Sequence, residues 1–203
     1  MFLAKSPAII KKYYPNLVWD IPNTEKKIYL TFDDGPIPVI TEWVLDLLLS
    51  HKIKATFFCI GENVAKYPTI YKRILSEGHA VGNHTLNHLD GWKTSRSSYI
   101  KNVIECQQLV ESTLFRPPYG RVKKSQLKKL SLRYKTIMWD VLSGDFDQKT
   151  TPEKCYENVI SNAASGSIIV FHDSLKAEKN LKYALPKSIE YLAGQGFVFD
   201  VIK

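Results

Sequence analysis

The chain has 203 residues, of which 44% are hydrophobic and 24% charged. That balance excludes a disordered or fibrous protein, and the length suits one α/β domain. A chain of this size buries roughly 70% of its unfolded surface without a disulfide or metal staple, and its 28 basic against 20 acidic side chains leave a formal charge of +8.

Residues 1–26 read as an N-terminal extension packed on the domain. Lys5, Pro7, Lys11 and Lys12 interrupt any apolar leader, which predicts a cytoplasmic location. No run reaches 18 apolar residues, so no transmembrane segment is expected. Residues 27–203 then alternate in pattern. A strand over 27–33 ends at Asp33-Asp34-Gly35-Pro36, and apolar residues at helical spacing predict a helix over 39–50. The apolar run 56–60 predicts a buried parallel strand, 63–76 a helix stopped by Gly78, and 79–83 a short strand. A helix over 98–114, with Ile100, Val103, Ile104 and Val110 inward, leads to a short strand at 115–116 closed by two prolines.

Next comes a basic helix over 123–133. Between Ser112 and Trp139 there is no Asp or Glu, but eight basic residues: Arg116, Arg121, Lys123, Lys124, Lys128, Lys129, Arg133 and Lys135. Such a face can meet an anionic polymer. The reading adopted is a solvated helix face, and no nucleic-acid partner is expected. A strand over 135–142, a helix over 151–163 capped by Thr151, strand 167–171, helix 179–193 and strand 196–202 complete the order. About seven strands alternating with six helices predict a single-domain parallel α/β sheet, doubly wound or closed as a (β/α) barrel. Cys59, Cys106 and Cys155 are far apart with no CxxC, which predicts reduced, buried thiols.

The ionisable residues worth naming fall at the carboxyl ends of predicted strands, where such folds build their sites. Asp33 and Asp34 close the first strand, and His84 and His88 follow the third. Arg116 ends the fourth, Asp145 follows the fifth and His172 ends the sixth. The break at Gly35-Pro36 lets two adjacent carboxylates converge on one site. His84 and His88 are four apart, so one helical turn would bring them onto one face as two ligands of a divalent metal. Two His and one Asp leave coordination positions open, the catalytic arrangement. Asp145 is placed to orient His172, and Arg116 to pair with a carboxylate such as Asp33. His51 and His79 read as structural.

Together these residues resemble the NodB-type polysaccharide deacetylases, carbohydrate esterase family four. Thr31-Phe-Asp-Asp-Gly-Pro36, His84-Thr-Leu-Asn-His88 and Arg116-Pro-Pro-Tyr119 match its first three motifs. Ser143-Gly-Asp145-Phe146 and Val170-Phe-His172 resemble its fourth and fifth, with Phe146 where Trp and Val170 where Leu is usual. The resemblance implies a distorted (β/α) barrel of seven strands over residues 27–203. It implies that Asp34, His84 and His88 hold one divalent ion, zinc with cobalt or nickel as alternatives. Asp33 would be the general base oriented by Arg116, and His172 the general acid tethered by Asp145. The Tyr119 N–H would hold the oxyanion, while Phe146 and Val170 would line the acetyl pocket. The expected reaction is N-deacetylation of N-acetylglucosamine-containing glycans, peptidoglycan- or chitin-like, with acetate released. An acetylxylan-type O-esterase on the same scaffold, or a non-catalytic glycan-binding module, are the alternatives. The sequence leaves oligomeric state open.

Overall fold

In the computed structural model, which describes residues 2–203, the fold rests on how strand side chains divide between two layers. The strands are β1 (Lys27–Asp33), β2 (Thr56–Cys59), β3 (Ala80–Asn83), β4 (Leu114–Phe115), β5 (Lys135–Thr136), β6 (Val141–Leu142), β7 (Ile168–His172) and β8 (Val198–Phe199). Successive side chains of a strand point to opposite faces. On β1, Ile28, Leu30 and Phe32 join Phe57, Cys59, Ile169 and Phe171 in the large core under the helices. Tyr29 joins Phe58, Leu114, Ile137, Ile168 and Ile202 in a second, inner cluster. Thr31 and Asp33 continue that inner row toward the strand's carboxyl end.

All strand pairs are parallel, in the order β5-β4-β3-β2-β1-β7-β6, with β8 against the start of β1. The helices are α1 (Ala8–Tyr13), α2 (Ile40–Ser50), α3 (Gly61–Lys66), α4 (Pro68–Ser76), α5 (Arg96–Gln107), α6 (Lys124–Leu130), α7 (Pro152–Ile160) and α8 (Glu178–Gly194). The expected single-domain α/β architecture of about seven parallel strands stands, as an incompletely closed barrel. The three cysteines are free and buried, and among the described residues no helix is long and apolar enough to cross a membrane.

Several elements differ from their sequence expectation. The strand expected over 135–142 is two short strands, β5 on β4 and β6 on β7. They are the two edges of the sheet, so one short segment spans the seam of the barrel. Residues 4–21 cover this seam. Lys5 lies opposite Val141, Val18 opposite Ile137 and Asp20 opposite Ser167. The Met138 N–H donates to the Val18 carbonyl at 2.7 Å, and the Leu142 N–H to that of Ala4 at 2.8 Å. Asp140, 3% exposed, accepts from Lys5 Nζ at 2.6 Å and from Lys11 Nζ and Ser167 Oγ at 2.5 Å.

The helix expected over 63–76 breaks into α3 and α4. Pro68 lacks an amide hydrogen and drives Tyr67 out of the helical region, to φ −127° and ψ 56°. α5 starts earlier than expected, capped by Ser95 Oγ on the Ser98 N–H, and ends at Gln107. Ile104, expected inward, is 39% exposed, because Tyr99, Val103 and Cys106 occupy the inner face. Thr151 caps α7 as expected, accepting from the Lys154 N–H.

Gly82 leaves the space that the Phe58 ring fills inside the barrel. A Cβ there would lie 2.4 Å from two ring carbons. Gly82→Ala should therefore destabilise the protein by about 1–3 kcal/mol, read as a lower denaturation midpoint in urea with an unchanged slope.

Candidate active site

The inner faces of the strands carry a vertical sequence of residue types. Apolar side chains fill the bottom, and charged ones emerge at the carboxyl ends. Leu114 points inward on β4 and Phe115 outward, so alternation turns Arg116 inward again. Its side chain is fully buried and is the largest of those below 2% exposure. The guanidinium lies 4.0 Å over the Phe58 ring. It donates to Asp33 Oδ1 at 2.6 Å, Thr31 Oγ1 at 2.8 Å and the carbonyls of Met138 and Ile137 at 2.9 and 3.3 Å. Asp33 is thereby held rigidly at the mouth of the barrel, beside His172 in the β1–β7 register.

Asp34, His84 and His88 converge, with one potential ligand atom from each within 4.8 Å of the others. Asp34 Oδ1 is buried, has no well-directed hydrogen bond, and lies 3.7 and 3.2 Å from the Nε2 atoms of His84 and His88. A buried oxygen left without a donor between two imidazole nitrogens suits a shared cation. The outer nitrogens support this. His84 Nδ1 faces the Arg116 carbonyl at 2.8 Å, so it is the protonated nitrogen and leaves the Nε2 lone pair for a metal. His88 Nδ1 lies 3.1 Å from Tyr119 Oη. Burial and the neighbouring His88 push the His84 imidazole down to about 4, which keeps it neutral. Burial works to raise Asp34, but His88 contact and the charges of His172, His84 and His88 outweigh it and hold the carboxyl well below its usual range. The two histidines do not share a helix face, as their spacing suggested. A non-helical turn with Thr85 at φ 66° and His88 at φ 58° folds them together, ring centroids 5.1 Å apart. The turn is pinned by Asn83 Oδ1 on the Thr85 N–H and Thr85 Oγ1 on the Leu89 N–H.

Across the mouth, Asp145 holds His172 twice. Oδ2 accepts from the His172 backbone N–H and Oδ1 faces its Nδ1, both at 2.7 Å. Burial alone would lower this imidazole, but the Asp145 charge and contact, with Asp34 and Asp33 behind, push it up to about 9. The Phe146 ring stands edge-on to His172 at 5.0 Å. Val170 is 1% exposed and lies one pleat below His172, so it is part of the buried floor rather than an open wall. Tyr119 adopts φ 59° and is 59% exposed. His51 ends α2, and buried His79 accepts the Ala55 N–H.

Two contributors carried no signal in the sequence. Asp173, fully buried, accepts the Gly35 N–H at 3.1 Å and the Thr41 hydroxyl at 2.5 Å, bracing the turn that presents Asp33 and Asp34. A Cβ on Gly35 would sit 2.0 Å from its Oδ2, so this approach requires glycine. Phe2 packs 5.4 Å from Phe146 and over Gly144, whose φ of 81° and missing side chain make room for its ring. No local pattern links positions so distant in the chain.

Comparisons with known proteins show the family of the chain. The family model described as polysaccharide deacetylase matches residues 20–135. A peptidoglycan-N-acetylglucosamine deacetylase of Bacillus cereus is 36% identical over 92% of this chain and 91% of its own length. The peptidoglycan-N-acetylglucosamine deacetylase PgdA of Listeria monocytogenes is 34% identical over 96% of this chain, which spans 43% of that longer protein. Among solved structures, the Bc1960 peptidoglycan N-acetylglucosamine deacetylase superposes with a TM-score of 0.85 at 32% identity, covering 97% of this chain and 95% of the other.

The Arg116–Asp33 pair sets a stability test. Arg116→Leu strands a buried carboxylate and should cost about 3–5 kcal/mol. Asp33→Asn keeps an acceptor for the guanidinium and should cost less. Equal urea midpoints for the two variants would contradict this.

Proposed function

Because the chain belongs to the polysaccharide deacetylase family, we propose that it is a metal-dependent hydrolase that removes N-acetyl groups from N-acetylglucosamine-containing glycans of the peptidoglycan type. The observation that carries this reading is the placement of Asp33 and His172 side by side on neighbouring strands, with Asp34, next to Asp33, converging on His84 and His88. The names of the Bacillus and Listeria relatives support the substrate class.

Asp34 Oδ1, His84 Nε2 and His88 Nε2 are the atoms that would hold a divalent ion, zinc or else cobalt or nickel. Such an ion polarises the acyl carbonyl and acidifies its water. The Asp33 carboxylate takes the proton of the attacking water, and Arg116 keeps its Oδ1 fixed. The Tyr119 N–H donates to the carbonyl oxygen as it gains charge. An alkylamine leaves only when protonated, and His172, raised to about 9, is protonated at neutral pH to supply that proton. Asp145 fixes the ring and sustains its basicity.

The defining experiment is acetate release after zinc reconstitution from N-acetylglucosamine oligomers, peptidoglycan fragments and acetylated xylan. Release from the first two supports the reading; release from xylan alone replaces it with an O-esterase. His88→Ala should lose bound metal by elemental analysis while remaining folded. Asp33→Asn should keep the metal and lose about 100-fold or more in turnover; loss of metal there would exchange the roles of the two aspartates.

His172→Ala should cripple deacetylation of an N-acetylglucosamine oligomer and largely spare an activated aryl acetate, whose phenolate leaves without a proton. The acid form of His172 is the active one, so activity should fall as pH rises through about 9. Asp145→Asn removes the chief partner that raises this group, and the alkaline limb should move to lower pH. Equal losses on both substrates in His172→Ala would exclude the general-acid role.

A further inference from the structure

Beside the acid side of the site, the loops after β6 and β7 enclose a cleft of about 480 Å³. Lys149, Lys176 and Lys179 line it, with Glu178 as the single acidic residue on its walls. Glu178 is held by Lys182 at 2.6 Å, so its charge is met outside the cleft. None of the three lysine ammonium groups pairs with a carboxylate among the described residues; Lys176 Nζ instead lies 6.0 Å over the Phe146 ring. The cleft is also tied to the catalytic geometry. Asn180, buried in its wall, donates through Nδ2 to the carbonyls of Thr150 at 3.0 Å and Asp145 at 3.2 Å. Phe146 bridges from Lys176 to His172. Three unpaired cations around one concavity repel one another and gain most from an anion that neutralises them.

We propose that this cleft is a subsite for a carboxylate carried on the glycan next to the sugar being deacetylated. The inference rests on the deacetylase reading and deepens it. A chitin-type chain is neutral and offers these lysines nothing. A peptidoglycan strand carries a free lactyl carboxylate on alternate sugars or, where a stem peptide is amide-linked to that carboxyl, the carboxylates of the peptide in its place. The cleft therefore favours the anionic strand over the neutral one, through binding and not through the chemical step.

The test compares zinc-loaded protein on three probes: neutral chitotetraose, an alternating N-acetylglucosamine–N-acetylmuramic acid tetramer, and that tetramer with stem peptides. The triple variant Lys149→Gln/Lys176→Gln/Lys179→Gln should lower the ratio of kcat/KM on the carboxylated tetramer to that on chitotetraose by about tenfold, the scale of three exposed charge contacts. The change should lie in KM and shrink as salt is added. Lys124→Gln/Lys128→Gln/Lys129→Gln removes the same charge from α6 and should leave the ratio unchanged. An effect only on the unsubstituted tetramer would assign the anion to the lactyl carboxylate, which the stem peptide converts to an amide; an effect only on the peptide-bearing probe would assign it to the stem peptide, and an effect on both would show that the cleft takes either carboxylate. Equal effects of the two triple variants would reduce the result to net charge and overturn the subsite. Calorimetric binding of the carboxylated tetramer to Asp33→Asn, with and without the cleft lysines, separates the two readings. Lysine-dependent binding without wild-type turnover would sink the deacetylase reading alone. Turnover with unchanged ratio and affinity would sink the cleft.

Discussion

The buried ion pair between Arg116 and Asp33 is the constraint on which the mouth of this barrel depends. A guanidinium fully removed from water is tolerable only when its donors are met and its charge is paired. Here Asp33, Thr31 and two carbonyls meet them, and the Phe58 face lies beneath. The planar cation fills the interior of the barrel above the Phe58 ring. The same pairing holds the Asp33 carboxylate, the proposed base, in one place. It also places the Arg116 carbonyl where it selects the His84 tautomer. One residue thus links the packing of the barrel to Asp33 and to the cluster of Asp34, His84 and His88.

The second organising feature is the seam. Two short edge strands joined by four residues leave backbone groups that need partners. Residues 4–21 supply them, and the charges of Lys5 and Lys11 compensate the buried Asp140. The same segment delivers Phe2 to Gly144 and Phe146, so the N-terminal part of the chain backs the His172 side of the site.

The two halves of the site are tuned in opposite directions by different means. His84 is kept neutral chiefly by burial. His172 resists the same desolvation because Asp145 engages it through both oxygens. Four of the non-glycine residues at positive φ, Asp34, Thr85, His88 and Tyr119, lie in this one region. Strain of this kind persists where surrounding contacts over-determine the backbone, and here the pinned 83–89 turn and the braced Asp33-Asp34-Gly35 turn provide them.

The sequence by itself determined the alternating α/β order, the carboxyl-end placement of the charged residues and most of the residues that the fold brings together at the mouth of the barrel. These follow from period-2 and period-3.6 patterns and from motifs whose residues are close in the chain. Tertiary structure alone decided that 135–142 would divide between two neighbours and that His84 and His88 would meet through a left-handed turn. It also decided that Ile104 would face solvent, and that Asp173 and Phe2 would support the site. Each of these depends on contacts between distant positions: strand 135–142 is split by pairing with both β4 and β7, and Phe2 meets Gly144 only once the seam is covered. Local periodicity specifies which face of an element is apolar. It carries no information about which distant backbone will need that face, and the remainder of the site was settled there.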